Sequence, residues 1–376
     1  VLDRLREGRE LEDAPMRVLV TGGLGCIGSQ IARSLFDEGH EVVIIDSAAE
    51  ERNQWIANQL RLKYDPEIHF DCLEYSANSL RDILPYCDAV IHAAASTGIP
   101  HSALHPDDDW ASNVDATKVL LDALRKHPLP TVVLSSVKPY ATSGFLDQDG
   151  DPLCGQQSSQ MQWHGGLKET DQLAPDEPYA ASKAAQSMLA MAWARSYDLP
   201  VVTLRCSNLY GPAPCHGPRH GWLTWFCIAG AMGRDIEVQG GGAQARDMLY
   251  GSDVASACWA AIRNLQAERV LSTSWSEIDA KMDKSITGKV FNIGGGYKNV
   301  TSVMRMAIKV QGMTGCRIVE APGRKHEDQL VFVDHSRFTE ATGWRPLVNV
   351  EEGSDRVLRW AAENETELQK VYEGVK

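Results

Sequence analysis

A chain of 376 residues, 43% of them hydrophobic, can bury a sizeable core in one large or two interleaved domains. A formal net charge of −13 argues against broad attraction to nucleic acid, while leaving room for a local basic pocket that takes a diphosphate. No stretch approaches the roughly 18 uninterrupted apolar residues of a membrane span. The opening VLDRLREGRELEDAP is charged and unlike a signal peptide, so the expectation is a cytoplasmic protein without membrane association, with residues 1–15 as an N-terminal extension. The nine cysteines are scattered, with no C-x-x-C pair and no His/Cys cluster at zinc spacing. They read as reduced, mostly buried thiols, and no metal site is expected.

From Met16 onward, short apolar runs alternate with amphipathic segments. MRVLVTG, EVVIID, IHFDCLE, AVIHAAA, TVVLSS and VVTLRCS read as strands, and the segments around 27–38, 52–62, 111–127 and 179–197 read as crossover helices. The pattern predicts an α/β fold, a doubly wound parallel sheet covered by helices. Beyond residue 205 the spacing becomes irregular, with Gly/Pro-rich loops at 211–221 and 240–242, as for a smaller C-terminal lobe that closes over a ligand.

TGGLGCIGS places Gly22, Gly25 and Gly28 between the first strand and a helix beginning near Ile27. Glycine lets the backbone turn sharply and approach a pyrophosphate, and the helix N-terminus offers free N–H groups and a positive dipole. Gly22, Gly25, Cys26 and Ile27 are therefore expected against a dinucleotide. Asp46, at the end of EVVIID and 18 residues after Gly28, can accept hydrogen bonds from an adenosine ribose and would repel a 2′-phosphate, which favours NAD over NADP. Further on, PYAASKAA sets Tyr179 and Lys183 four apart on one helical face. A free tyrosine titrates near about 10; a neighbouring ammonium, assisted by a positive nicotinamide ring, is expected to lower that value and make an acid–base pair.

The G-x-x-G-x-x-G spacing resembles the extended short-chain dehydrogenase/reductase family, whose fold is Rossmann-like. The resemblance runs from about Met16 to Trp360. It implies that Asp71 and Cys72, with Ala93, Ala94 and Ala95, line the adenine and phosphates of NAD. Asn113 matches an asparagine-led helix, where it could equally serve as an N-terminal cap. In VVLSSVKPYA the resemblance maps a catalytic hydroxyl onto Ser136, four before the marker Tyr140, with Ser135 as the fallback. Ser136, Tyr179 and Lys183 then form a catalytic set. Related 4,6-dehydratases carry Asp-Glu after this hydroxyl to expel water, and related decarboxylases a glutamate; Val137 and Lys138 stand here instead.

The implied function is epimerisation of a nucleoside-diphosphate sugar through a transient keto-sugar, with a dehydratase, decarboxylase or reductase of the same family as the alternative. LRCSNLYGP resembles the turn at the entrance to the sugar lobe, with Asn208 as a contact. GGGAQARDMLYGSDVASA suggests Arg246 on the diphosphate, Asp247 orienting it, and Asp253 capping the next helix. Lys138 joins Ser136 as a substrate contact. A long insertion between Tyr140 and Tyr179, the run HGWLTWF, and Glu327 to Gln329 are similar to the CDP-tyvelose 2-epimerase (CDP-paratose 2-epimerase) group. HGWLTWF has a competing reading as a hydrophobic face or dimer contact, and the insertion (142–178) reads as a polar loop at the site, with Trp163 and His164 near the substrate or simply on the surface. The expected division is an NAD-binding domain of 16–204 and 247–295, and a nucleotide-sugar lobe of 205–246 and 296–376. A homodimer packed through the Tyr179 helix and the 111–127 helix is also implied.

Overall fold

A computed structural model describes residues 14–47, 51–64, 66–70, 77–141, 165–214, 217, 220–271, 285–323 and 328–373. The six expected apolar runs form parallel strands: β1 (Arg17–Thr21), β2 (Glu41–Asp46), β3 (Glu67–Phe70), β4 (Ala89–His92), β5 (Thr131–Ser136) and β6 (Val201–Cys206). Three strands that pair elsewhere follow, β7 (Asn208–Tyr210), β8 (Ile236–Gln239) and β9 (Ala245–Tyr250); then β10 (Val290–Ile293) returns to the first sheet as its seventh strand. The order is β3-β2-β1-β4-β5-β6-β10, parallel throughout.

The reason most of these runs carry apolar residues at consecutive positions lies in how the sheet is covered. Val18 and Val20 of β1 pack on one side with Ile31 and Leu35, while Leu19 packs on the other with Leu120, Leu121 and Leu124. Alternate residues face opposite layers, and both layers are helical. The covering helices include α1 (Cys26–Asp37), α2 (Glu51–Tyr64), α3 (Ala77–Ile83), α4 (Ala116–Leu124), α5 (Pro178–Ser196), and, after α6 (Trp222–Ala231), α7 (Gly251–Leu271). Strand order reverses between β1 and β4, so the chain departs to opposite sides from neighbouring strand ends at Thr21 and His92. A crevice opens there, where ligands bind in sheets of this kind. The six described cysteines are free, and no helix among the described residues is long and apolar enough to cross a membrane.

The remaining strands build smaller sheets. β9 pairs with β11 (Val300–Ser302), β13 (Leu330–Val331) and β7, and β8 pairs with β12 (Ile318–Ala321). The boundary expected between 246 and 247 thus runs through β9. Around these strands lie α8 (Val303–Thr314), α9 (Ser336–Thr342), α10 (Val350–Glu363) and α11 (Glu365–Val371). HGWLTWF opens α6, in which Leu223 through Gly230 are all buried, between α8 and α10. A helix apolar on every side belongs in a core, so this run is the centre of the lobe.

Asp253 does not cap the helix that follows it. It lies inside the first turn of α7, and its carboxylate accepts the N–H groups of Leu347 at 3.1 Å and Val348 at 3.0 Å, 94 and 95 residues away. The indole of Trp344 donates to the Asp253 carbonyl at 3.1 Å, which seats the Gly-Trp-x-Pro segment on α7. Beneath it, Phe338 is fully buried between Phe291 of β10 and Trp344, with ring centroids at 5.6 and 5.5 Å. Phe338→Ala would leave a cavity where α9 meets the large sheet. We expect a loss of about 3–5 kcal/mol in unfolding free energy by urea denaturation, and a loss below about 1 kcal/mol would show that this junction bears little of the stability.

Candidate active site

The glycine turn is fixed by sterics. Gly22 has φ +67° and donates to the Ile45 carbonyl at 2.8 Å, and a Cβ there would stand 2.6 Å from the Ala94 backbone. At Gly28 a Cβ would lie 2.1 Å from the Gly22 carbonyl oxygen. No side chain caps α1, whose N-cap is Gly25, so the first-turn N–H groups, including those of Cys26 and Ile27, face the crevice end of the sheet. This cradle fits a dinucleotide pyrophosphate. Asp46, buried at the end of β2, accepts from Leu24 N–H at 2.9 Å and Asn53 at 3.1 Å, which points its carboxylate at the same turn. Asp71 and Cys72 lie outside the described residues, as do residues 142–164 of the insertion, with Trp163 and His164, and Glu327.

Ala93, Ala94 and Ala95 leave β4 directly beside Gly22, and a buried hydrogen-bond chain ties them to the next elements. Ala94 N–H reaches Thr21 Oγ1 at 3.4 Å, and Thr21 Oγ1 is 2.7 Å from His92 Nδ1. His92 Nε2 is 2.9 Å from Thr117 Oγ1, whose own proton goes to the Asn113 carbonyl at 2.7 Å. Thr117 must therefore accept, so His92 carries its proton on Nε2 and takes one from Thr21 on Nδ1. Burial pushes the imidazole down to about 3, which keeps it neutral. Asn113 is not an N-cap: it sits within a π-helical turn, Trp110–Asp115, that runs into α4. Its amide donates to the Ser96 carbonyl at 3.1 Å and to Ser182 Oγ of α5 at 2.9 Å.

The residues expected to carry chemistry converge at the ends of β5 and β6. Ser136 Oγ accepts from Lys138 N–H at 3.1 Å and hydrogen-bonds the half-buried Tyr179 phenol. Ser135 points into the sheet–helix interface, where its hydroxyl donates to the Lys183 carbonyl at 3.0 Å. Lys183 is 3% exposed and donates from Nζ to the Leu134 carbonyl at 3.0 Å.

The electrostatics differ from expectation. Burial pushes Tyr179 up to about 12, against the opposing Ser136 hydrogen bond, and Asp109 and Glu177 add to the rise. Burial likewise pulls Lys183 down to about 8. The protein alone therefore does not lower the tyrosine, because desolvation of the phenol outweighs the help it receives from Ser136.

Around this centre stands a charged cluster in which Lys138 was expected as a substrate contact, whereas Glu177 was not singled out in the sequence. Lys138 Nζ is 2.5 Å from Asp328 and 3.8 Å from Glu177, all three mostly buried. Glu177 immediately precedes α5, and Asp328 leads into β13, so the cluster joins the segment after Ser136 to both halves of the molecule. Asp328 belonged to the noticed Glu327–Gln329 run, but its partner was not legible. Tyr140 lies in the core, taking a hydrogen bond from Arg205 at 2.8 Å and giving one to Asn292 at 2.8 Å.

Asn208 begins β7 opposite Met248 of β9, and Arg246 is buried in β9, donating to the Ala245 carbonyl at 2.9 Å. Asp247 does not orient Arg246. Neighbours on a strand face opposite ways, and the fully buried Asp247 carboxylate accepts Gly295 N–H at 2.6 Å and Val333 N–H at 3.2 Å instead. Burial raises it to about 7, held back by those backbone donors. It is a strut between β9, the end of β10 and the segment after β13.

Because the folded-state value of Lys183 is depressed from 10.5 to about 8, its buried ammonium opposes folding at neutral pH, and stability recovers as pH rises through that interval. Lys183→Met is therefore expected to melt higher than the wild type at pH 7, with the gap narrowing from pH 8 to 10.5. Thermal unfolding across that range checks it, and a gap independent of pH would mean that the ammonium is not desolvated.

The model of the NAD dependent epimerase/dehydratase family matches residues 18–294. CDP-paratose 2-epimerase from Salmonella typhi is 25% identical over 92% of this chain and 99% of its own length. A dTDP-glucose 4,6-dehydratase from an Actinoplanes strain is 28% identical over 93% and 98%. Among solved structures, the dTDP-glucose 4,6-dehydratase from Streptomyces venezuelae, a double mutant with NAD bound, superposes with a TM-score of 0.76 at 24% identity, covering 95% of this chain and all of the other.

Proposed function

The chain belongs to the NAD dependent epimerase/dehydratase family, and on that premise we propose that it is an NAD-dependent epimerase of a nucleoside-diphosphate sugar. The observation that carries the choice of reaction is Lys138. At the place where the related dehydratases hold an acid pair, this chain has Val137 and an ammonium engaged by Asp328 and Glu177. Elimination of water needs an acid and a base there, and epimerisation needs neither.

In this reading the cradle of Gly22, Gly25, Cys26 and Ile27 binds the pyrophosphate of NAD, Asp46 the adenosine ribose, and Ala93 to Ala95 and Asn113 flank the cofactor. Bound NAD supplies reversible acceptance of a hydride. Ser136 holds the sugar hydroxyl and Tyr179 takes its proton as the carbon becomes a ketone; the same phenol returns the proton after the keto-sugar presents its other face. Lys183 supplies the positive charge that makes phenolate accessible once sugar and cofactor exclude water. Asn208 and Arg246 bind the nucleotide portion, with the large sheet as cofactor domain and the smaller sheets as sugar lobe. We place the enzyme in the cytoplasm as a homodimer.

Proton NMR of the protein with UDP-, GDP-, CDP- and dTDP-sugars and catalytic NAD tests the reaction. The expected product is a stereoisomer of unchanged mass; loss of water would assign a dehydratase instead. Tyr179→Phe should retain NAD yet lose about 10²–10⁴-fold in turnover, and wild-type turnover in that variant would remove Tyr179 from the mechanism.

A further inference from the structure

Asp109 is a buried carboxylate that the mechanism above does not use. It ends the short helical turn Pro106–Asp109, which packs against α5, and it is 1% exposed. Ser96, the first residue after the three alanines, donates its hydroxyl to Asp109 Oδ1 at 2.7 Å. The Ser96 carbonyl is held in turn by Asn113, whose amide also reaches Ser182, next to Lys183. Among the described residues, Oδ2 has no hydrogen-bond partner and Asp109 forms no ion pair. A buried anion left in this condition is costly unless something supplies positive charge.

The titratable groups facing Tyr179 and Lys183 are Asp109, Glu177, Cys206 at the end of β6 and His92 at the end of β4. Burial pushes the Cys206 thiol up to about 12 and His92 down to about 3, so both are neutral near pH 7. Glu177 has Lys138 nearby. Asp109 is then the carboxylate at this centre without a cation of its own, and it acts on both Tyr179 and Lys183 in the direction that favours their protonated forms.

We propose that Asp109, fixed by Ser96, is the counter-charge of the catalytic centre, matching the positive charge of Lys183 and of an oxidised dinucleotide bound beside it. The consequence is a preference for oxidised over reduced cofactor. A reduced cofactor in such a site gives its hydride back readily, so a ketone formed there is reduced again in place. Asp109 is a positioning residue of the electrostatic kind and exchanges no proton with substrate.

The test compares the affinities of the purified protein for NAD and NADH without sugar, by equilibrium dialysis, so that its outcome is independent of whether turnover is epimerisation or dehydration. Asp109→Asn should weaken NAD relative to NADH by about tenfold, which raises the potential of the bound couple by roughly 30 mV. An unchanged ratio overturns the proposal. Ser96→Ala leaves the charge and should keep the wild-type ratio; a shift as large as that of Asp109→Asn would assign the effect to packing and also overturn it. Should Asp109→Asn fail to fold, Asp109→Glu retains the charge and is expected to keep the preference for NAD, and loss of that preference would count against the counter-charge.

Discussion

The site depends on one close approach, that of the Gly22 backbone to the backbone of Ala93 and Ala94. Neighbouring parallel strands whose chains depart to opposite sides leave a crevice between them. Here its floor is formed by main chain alone, because any Cβ on Gly22 or Gly28 would occupy the space of a neighbouring backbone atom. With that floor set, α1 begins where its uncapped N–H groups can meet an anion, Asp46 closes one side, and the Thr21–His92–Thr117 chain transmits the position of β1 and β4 to Asn113 and α5. The glycine cradle and the segments that carry Ser136 and Tyr179 are in this way parts of one hydrogen-bonded frame.

A second theme is how the centre handles charge. Tyr179 is raised by burial while Lys183, though lowered, stays protonated at neutral pH, so the ligand-free arrangement does not sustain a phenolate. In the proposed mechanism, activation comes with the ligands, through the charge they add and the water they displace. Three carboxylates, Asp109, Glu177 and Asp328, and a second lysine surround the pair, and their anchoring contacts come from several elements. A small change in any of these anchors alters the field at Tyr179 without touching it.

Much of the frame was legible in sequence because it rests on local rules. Five strands largely buried on both faces, β1, β2, β4, β5 and β6, read as mostly apolar runs, and the glycine turn, Asp46 and the Tyr179–Lys183 pair lie within short, regular spacings. What escaped depends on residues far apart in the chain. Asp253 looks like a helix cap until the N–H groups of Leu347 and Val348 arrive beside it, and Asp247 looks like a partner for Arg246 until Gly295 and Val333 do. The direction of the Tyr179 shift was missed for the same reason, since burial is a property of the fold and not of the Y-x-x-x-K spacing. β10 was missed because VFNI stands far along the chain from the other strands of its sheet.

The alternation in β9 has a consequence for how such a chain can diverge. Arg246 and Asp247 are adjacent and serve opposite faces of the strand, so a one-residue slip of β9 against its neighbours would set a guanidinium among the backbone donors of Gly295 and Val333 and turn the Asp247 strut to the other face. A slip of one residue in β9 is therefore costlier than a change of length in the surrounding loops. The strand is a fixed ruler against which the rest of the lobe is free to be rewritten.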